Sequence, residues 1–211
     1  MTSNTTESRV LAAIDERRSR INEAIDEELP LQTPERLYEA SRYLLKAGGK
    51  RLRPTVTLLA GEALADVEPA TRDYRAFPTL SGAAIDLMRA AVSLEVIQSF
   101  TLIHDDIMDD DDLRRGVPAV HNEYDTSTAI LAGDTLYSSA FEIMADTGGQ
   151  PANALAAMRL LSSTCTKICE GQALDIAFET RSDLLPAEYL EMVEHKTAVL
   201  YGASAAVPAE L

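Results

Sequence analysis

Apolar residues recur at three- and four-residue steps along most of this chain, and no stretch keeps the every-second-residue alternation of a half-buried strand. Val10, Leu11, Ile14, Ile21, Ile25 and Leu29 form one such stripe. Proline and glycine cut the pattern into pieces of helical length. Thr33-Pro34 reads as an N-cap followed by proline at the first helical position, and the helix it opens stops at Gly48-Gly49. Another helix begins near Pro54 and runs to about Ala65. Asp66 to Ser81, with Pro69 and Pro78, is a connection with room for a short helix. Four further helices are predicted: Gly82 to Met108, Val120 to Ala145, Pro151 to Phe178, and Ala187 to Ala206 after Pro186. The expected fold is an all-α bundle of long, mostly antiparallel helices, one domain over residues 1–211 with residues 1–8 disordered.

A chain of 211 residues with 46% hydrophobic content has enough material for one substantial core. No run of eighteen apolar residues occurs, so no membrane span is expected. The start, MTSNTTESRV, lacks the basic and apolar regions of a signal peptide, which makes the cytoplasm the expected location. The net charge of −15 argues against nucleic acid as partner, because phosphate backbones attract basic surfaces. Against 34 Asp and Glu there are only four lysines, Lys46, Lys50, Lys167 and Lys196, the profile of a surface adapted to high salt. Cys165 and Cys169 lie four apart with nothing nearby to complete a zinc site, and both read as small core residues.

The segment most informative about chemistry is Leu102-Ile103-His104-Asp105-Asp106-Ile107-Met108-Asp109-Asp110-Asp111-Asp112-Leu113-Arg114-Arg115-Gly116. Asp105 and Asp109 are four apart and share a helix face, with Asp106 about 100° round from Asp105 at its edge. Like charges so spaced repel, and carboxylates near a helix C-terminus oppose its dipole, so the cluster is a poor structural choice. Hard oxygen ligands emerging from an apolar helix suit Mg²⁺, which takes one or two carboxylates and completes its shell with water and phosphate. Arg114-Arg115 directly beyond would serve a diphosphate, since guanidinium groups fork onto phosphate oxygens. A second basic cluster, Gly48-Gly49-Lys50-Arg51-Leu52-Arg53-Pro54, stands where one helix ends and the next begins. Taken alone it also reads as a helix C-terminus with dipole-compensating cations.

GGKRLRP, LIHDDIMDDDDLRRG and a later His195-Lys196-Thr197 resemble, in order and spacing, the trans-prenyl diphosphate synthase family, which includes farnesyl and geranylgeranyl diphosphate synthases. The resemblance covers Gln32 to Gly202. It implies an isoprenoid-synthase bundle around a central apolar cavity, a cytoplasmic homodimer, Mg²⁺ as cofactor, and condensation of isopentenyl diphosphate with an allylic diphosphate. By resemblance, Asp105 and Asp109, with Asp106, would bind Mg²⁺. Lys50, Arg53 and Arg115 would grip isopentenyl diphosphate, with Gln98 as a further contact. Arg114, Lys196 and Thr197 would face the allylic diphosphate, and Gln172 and Asp175 would line the cavity. Phe100, five residues or roughly 7.5 Å below Asp105 along a helix, would floor the tunnel and favour a geranylgeranyl-length product.

The family also carries a second aspartate-rich motif on a later helix, and no such motif occurs before Leu211; Asp134, Asp146 and Asp175 are isolated. The chain is therefore expected to be the N-terminal two-thirds of such a synthase, its last helices missing, and to turn over poorly by itself. A non-catalytic, diphosphate-binding partner subunit is the alternative. A terpene cyclase ranks last, having no need of an isopentenyl diphosphate site at Lys50, Arg53 and Arg115.

Overall fold

The computed structural model of the protein describes residues 6–65 and 73–211. Helix α1 (Thr6–Glu28) is followed by α2 (Glu35–Lys46), α3 (Leu52–Ala65) and a single 3₁₀ turn (Tyr74–Ala76). Then come α4 (Leu87–Met108), α5 (Val120–Glu123), α6 (Thr126–Ala145) and α7 (Pro151–Phe178). The chain finishes with α8 (Pro186–Val193), a π-helical turn (Glu194–Ala198) and α9 (Val199–Glu210). The all-α expectation holds. Of the disorder expected for residues 1–8, residues 6–8 belong to α1 and the rest lie outside the described residues, as do residues 66–72 of the expected connection.

The centre of the bundle is α4. Its run from Ala90 to Ile97 is buried without a break, the mark of a helix apolar all round. It packs most extensively on α6, then on α3 and α1, while α9 closes over α3 and α7. The predicted start at Gly82 is too early. Asp86 caps the helix by accepting from the Arg89 backbone N–H at 2.9 Å. Before it, two-residue strands β1 (Phe77–Pro78) and β2 (Ala84–Ile85) pair antiparallel, Phe77 opposite Ile85.

Other boundaries differ for similarly local reasons. The helix expected over Val120 to Ala145 is two, because the Asp125 carboxylate accepts from the Thr128 backbone N–H at 2.8 Å and its hydroxyl at 2.7 Å, opening a new helix there. Pro34, not Thr33, holds the N-cap position of α2, with an extended backbone, and no side chain caps it. The last helix passes Ala206 and runs through Pro208 to Glu210. Between α4 and α5 lies a second short antiparallel pair, β3 (Leu113–Arg114) with β4 (Val117–Pro118), which turns Arg114 back toward the end of α4 and Arg115 toward the end of α2.

Candidate active site

A cavity of about 290 Å³ opens where the last turns of α4 face the middle of α7 and the π-helical turn. Gln98, Thr101, Asp105 and Met108 recur at helical spacing along its α4 wall, and Phe100 and His104 stand beside them. Opposite are Ile168, Cys169, Gln172 and Ile176 of α7, with Lys196, Thr197 and Leu200. Arg53, from the first turn of α3, completes the lining. The Phe100 ring lies edge-on to His104 at 4.9 Å and to Tyr137 at 5.2 Å, and Tyr137 meets Phe141 at 5.0 Å.

The acidic mouth of this cavity is organised by one ammonium. Lys196 Nζ lies 2.5 Å from an Asp175 oxygen, 3.1 Å from Asp105 and 3.8 Å from Asp109. Burial works against the charged lysine, but its hydrogen bonds to Asp175 and Asp105 outweigh that and hold its pKa above the ordinary value. Burial pushes the Asp105 carboxyl up despite Lys196, and the neighbouring Asp109 charge adds to the rise. Gln172 Nε2 donates to Asp109 at 3.3 Å, while its buried Oε1 has no partner. Three carboxylates thus share one cation, an arrangement short of positive charge.

This donor set fits Mg²⁺. Asp105 and Asp109 already hold a cation between them in the form of Lys196 Nζ, and both offer hard oxygen atoms at a partly open mouth. Among the described residues no group of three or more His, Cys, Asp or Glu is arranged to hold a metal by itself. Two carboxylates would have to be joined by water or phosphate oxygen, the usual state of Mg²⁺.

The remaining sequence-predicted residues separate into distinct places. Asp106 is fully buried and turned away from the cavity; Arg114 Nε donates to it at 2.6 Å and Arg114 Nη2 donates to Asp111 at 2.6 Å. Arg115 reaches back to the end of α2, donating to the Leu44 carbonyl at 3.1 Å and to the Gly48 carbonyl. Lys50 is exposed on that same turn. Arg53 stacks over the Tyr201 ring at 4.2 Å, and burial lowers its pKa. Asp105, Asp109, Lys196, Gln172, Thr197, Gln98, Phe100 and Arg53 therefore meet in one cavity or at its mouth, whereas Asp106, Arg114, Arg115 and Lys50 do not line it. Sequence reasoning missed Tyr201, Glu95 and the cavity-facing side of Cys169. For Glu95 a signal existed: a lone carboxylate in the most apolar stretch of the chain.

Residues 34–211 match the polyprenyl synthetase family. The chain belongs to that family. Among relatives of this polyprenyl synthetase chain, a geranylfarnesyl diphosphate synthase of Natronomonas pharaonis is 68% identical over 207 residues, 98% of this chain and 61% of that protein. A geranylgeranyl diphosphate synthase of Methanosarcina mazei is 52% identical, covering 94% of this chain and 56% of its own length. The solved geranylgeranyl pyrophosphate synthetase of Geoglobus acetivorans superposes with a TM-score of 0.84 at 48% identity, over 94% of this chain and 60% of that one. The chain thus spans about three-fifths of the length of the relatives it matches.

Proposed function

We propose that this chain supplies the substrate-binding core of a Mg²⁺-dependent prenyltransferase that condenses isopentenyl diphosphate with an allylic diphosphate. The observation that carries the reading is the mouth of the cavity, where Asp105, Asp109 and Asp175 share the single ammonium of Lys196 above an apolar pocket. Asp105 and Asp109 would hold Mg²⁺, which would supply positive charge against the departing allylic diphosphate. Lys196 and Thr197, at the same mouth, take diphosphate oxygens, and Arg114 joins them by exchanging an aspartate partner for phosphate. Lys50, Arg53, Arg115 and Gln98 hold isopentenyl diphosphate. The C–O bond of the allylic substrate breaks, the double bond of isopentenyl diphosphate attacks the carbocation to form a C–C bond, and a proton is lost. Phe100, Ile168 and Leu200 keep water from quenching that cation. Asp106, turned onto Arg114, acts by orienting that arginine rather than by reaching the cavity.

A geranylgeranyl-length product is favoured by the Phe100 ring in the cavity wall. A geranylfarnesyl-length product has its own support in the similarity to the geranylfarnesyl diphosphate synthase of Natronomonas pharaonis. No observation favours a non-catalytic partner subunit. A homodimer is what the family resemblance implies. No described helix is long and apolar enough to cross a membrane, which accords with a cytoplasmic enzyme.

Calorimetry of a bisphosphonate with and without Mg²⁺ tests the reading. Binding should need Mg²⁺, and Asp105→Ala should weaken it at least about tenfold, the loss expected when a charge-assisted contact is removed. Equal affinity with and without the ion would sink the proposal.

A further inference from the structure

Helix α4 is apolar on nearly every face, yet it carries a carboxylate at its centre. Glu95 is 3% exposed and lies between the fully buried Leu94 and Val96. A buried carboxylate stays ionised only with cations against it. Here two guanidinium groups converge on one of its oxygens. Arg51 Nη1 donates to Glu95 Oε1, and Arg115 Nη2 donates to the same atom at 3.2 Å. Their remaining donors go to the end of α2 and its surroundings: Arg51 to the Leu45 carbonyl at 2.6 Å and to Asn22 Oδ1 at 2.9 Å, Arg115 to the Leu44 carbonyl at 3.1 Å. Glu95 therefore ties α4 to both the turn that bears Lys50 and the hairpin that bears Arg114 and Arg115.

The backbone points the same way. Among the described residues, three that are not glycine adopt left-handed φ values: Arg51 at 50°, Asp110 at 54° and Arg115 at 54°. Two of the three are the arginines on Glu95. Such conformations are disfavoured for side-chain-bearing residues and persist where the surroundings over-determine them, often at functional sites. Gly49 makes room for the result, since a Cβ there would lie 3.1 Å from Arg115 Cζ.

The charge count is uneven as well. A structural bridge is neutral with one guanidinium. Glu95 faces two, and its charge also acts on a third, Arg53, whose buried Nε has no hydrogen-bond partner. A positive surplus is thus held in a poorly hydrated place, where it favours an anion.

We infer that Glu95 is the positioning residue of the isopentenyl diphosphate subsite: it aims Arg115, fixes the turn that presents Lys50, and leaves the surplus positive charge for the incoming diphosphate. The inference rests on the assignment of Lys50, Arg53 and Arg115 to that subsite. It is tested by titrating the chain with isopentenyl diphosphate, and separately with a bisphosphonate and Mg²⁺, in the wild type and in Glu95→Gln. The variant should lose about 30-fold in affinity for isopentenyl diphosphate, in line with breaking a buried charge pair, and keep its affinity for the bisphosphonate within about twofold. A merely structural Glu95 would weaken both ligands alike, and that result, or no loss at all, overturns the inference. If Glu95→Gln does not fold, Arg51→Lys keeps the charge but not the fork, and the same selective loss is expected; equal losses again overturn it. A wild type that binds the bisphosphonate but not isopentenyl diphosphate would overturn the subsite assignment together with the inference. A wild type that binds both, with Glu95→Gln unaltered, would overturn the inference alone.

Discussion

Gly171 has no space for a side chain. A Cβ there would lie 2.3 Å from the backbone nitrogen of Lys196, so the π-helical turn can press against α7 only where α7 carries glycine. The close approach sets the height at which Lys196 meets Asp105 and Asp175. Gly171→Ala should therefore cost about 1–3 kcal/mol of stability, the range for overpacking, and should also weaken Mg²⁺-dependent bisphosphonate binding. Urea unfolding and calorimetry report the two effects; stability equal to wild type would mean that the turn can retreat freely. The cysteines, both expected in the core, differ in fate. Cys165 is buried, and burial pushes its thiol up to about 12, whereas Cys169 is exposed at the edge of the cavity. A maleimide should label Cys169 in the native protein and Cys165 only after unfolding, as read by peptide mass spectrometry. Because the folded chain holds the Cys165 proton more tightly than the unfolded one, that contribution to stability is complete below pH 9.0 and is lost as the pH rises through about 12. Nothing in the spacing of two cysteines on one helix could separate them, since which face turns inward depends on Tyr137 and the other neighbours of α7.

At the scale of elements, α4 does the most and was the most legible. Its uninterrupted burial follows from its apolar run, and the shared face of Asp105 and Asp109 follows from helical spacing alone. What spacing could not reveal is where Asp106 turns, because that depends on the β3–β4 pair returning Arg114 to it. The Glu95 pairing was hidden for the same reason: its partners lie 44 and 20 residues away in sequence. The π-helical turn was also invisible, since its segment reads as ordinary helix and the extra residue per turn is imposed by packing on α7. The position of Phe100 has a consequence for product length. Its ring stands between the cavity and Tyr137, with Phe141 beyond. Phe100→Ala opens the first of these layers and leaves the second in place. Each buried methylene of a longer tail stabilises by about 0.8 kcal/mol, so products should lengthen by a five-carbon unit and stop at Tyr137, with the first condensations little affected. Separation of dephosphorylated products by length, in a form of the protein that turns over, checks this. An unchanged distribution would return Phe100 to ordinary core packing.

Over the whole molecule, two electrostatic effects of opposite sign compete, and salt separates them. The net charge of −15 spreads self-repulsion over the surface, and added ions relieve it. The same ions weaken exposed pairs such as Arg36–Asp125 and Arg181–Asp183. Those pairs are solvated on the surface and add little, many of them nothing measurable. The pairs that organise the interior, Arg17–Glu62, Arg51–Glu95 and Arg114–Asp106, each have at least one partner sealed from solvent and are screened far less. Relief of repulsion should therefore win. The screening length falls from about 10 Å near 0.1 M salt to about 3 Å near 1 M, so most of the gain should come within that interval. A gain of roughly 2 kcal/mol would raise the melting temperature by roughly 4–8 °C for a chain of this size. Calorimetric scans in KCl, with sucrose as an uncharged co-solute control, separate screening from general exclusion. A melting temperature that falls in KCl, or that rises no more than in sucrose, would show that the acidic surface is incidental rather than an adaptation to salt.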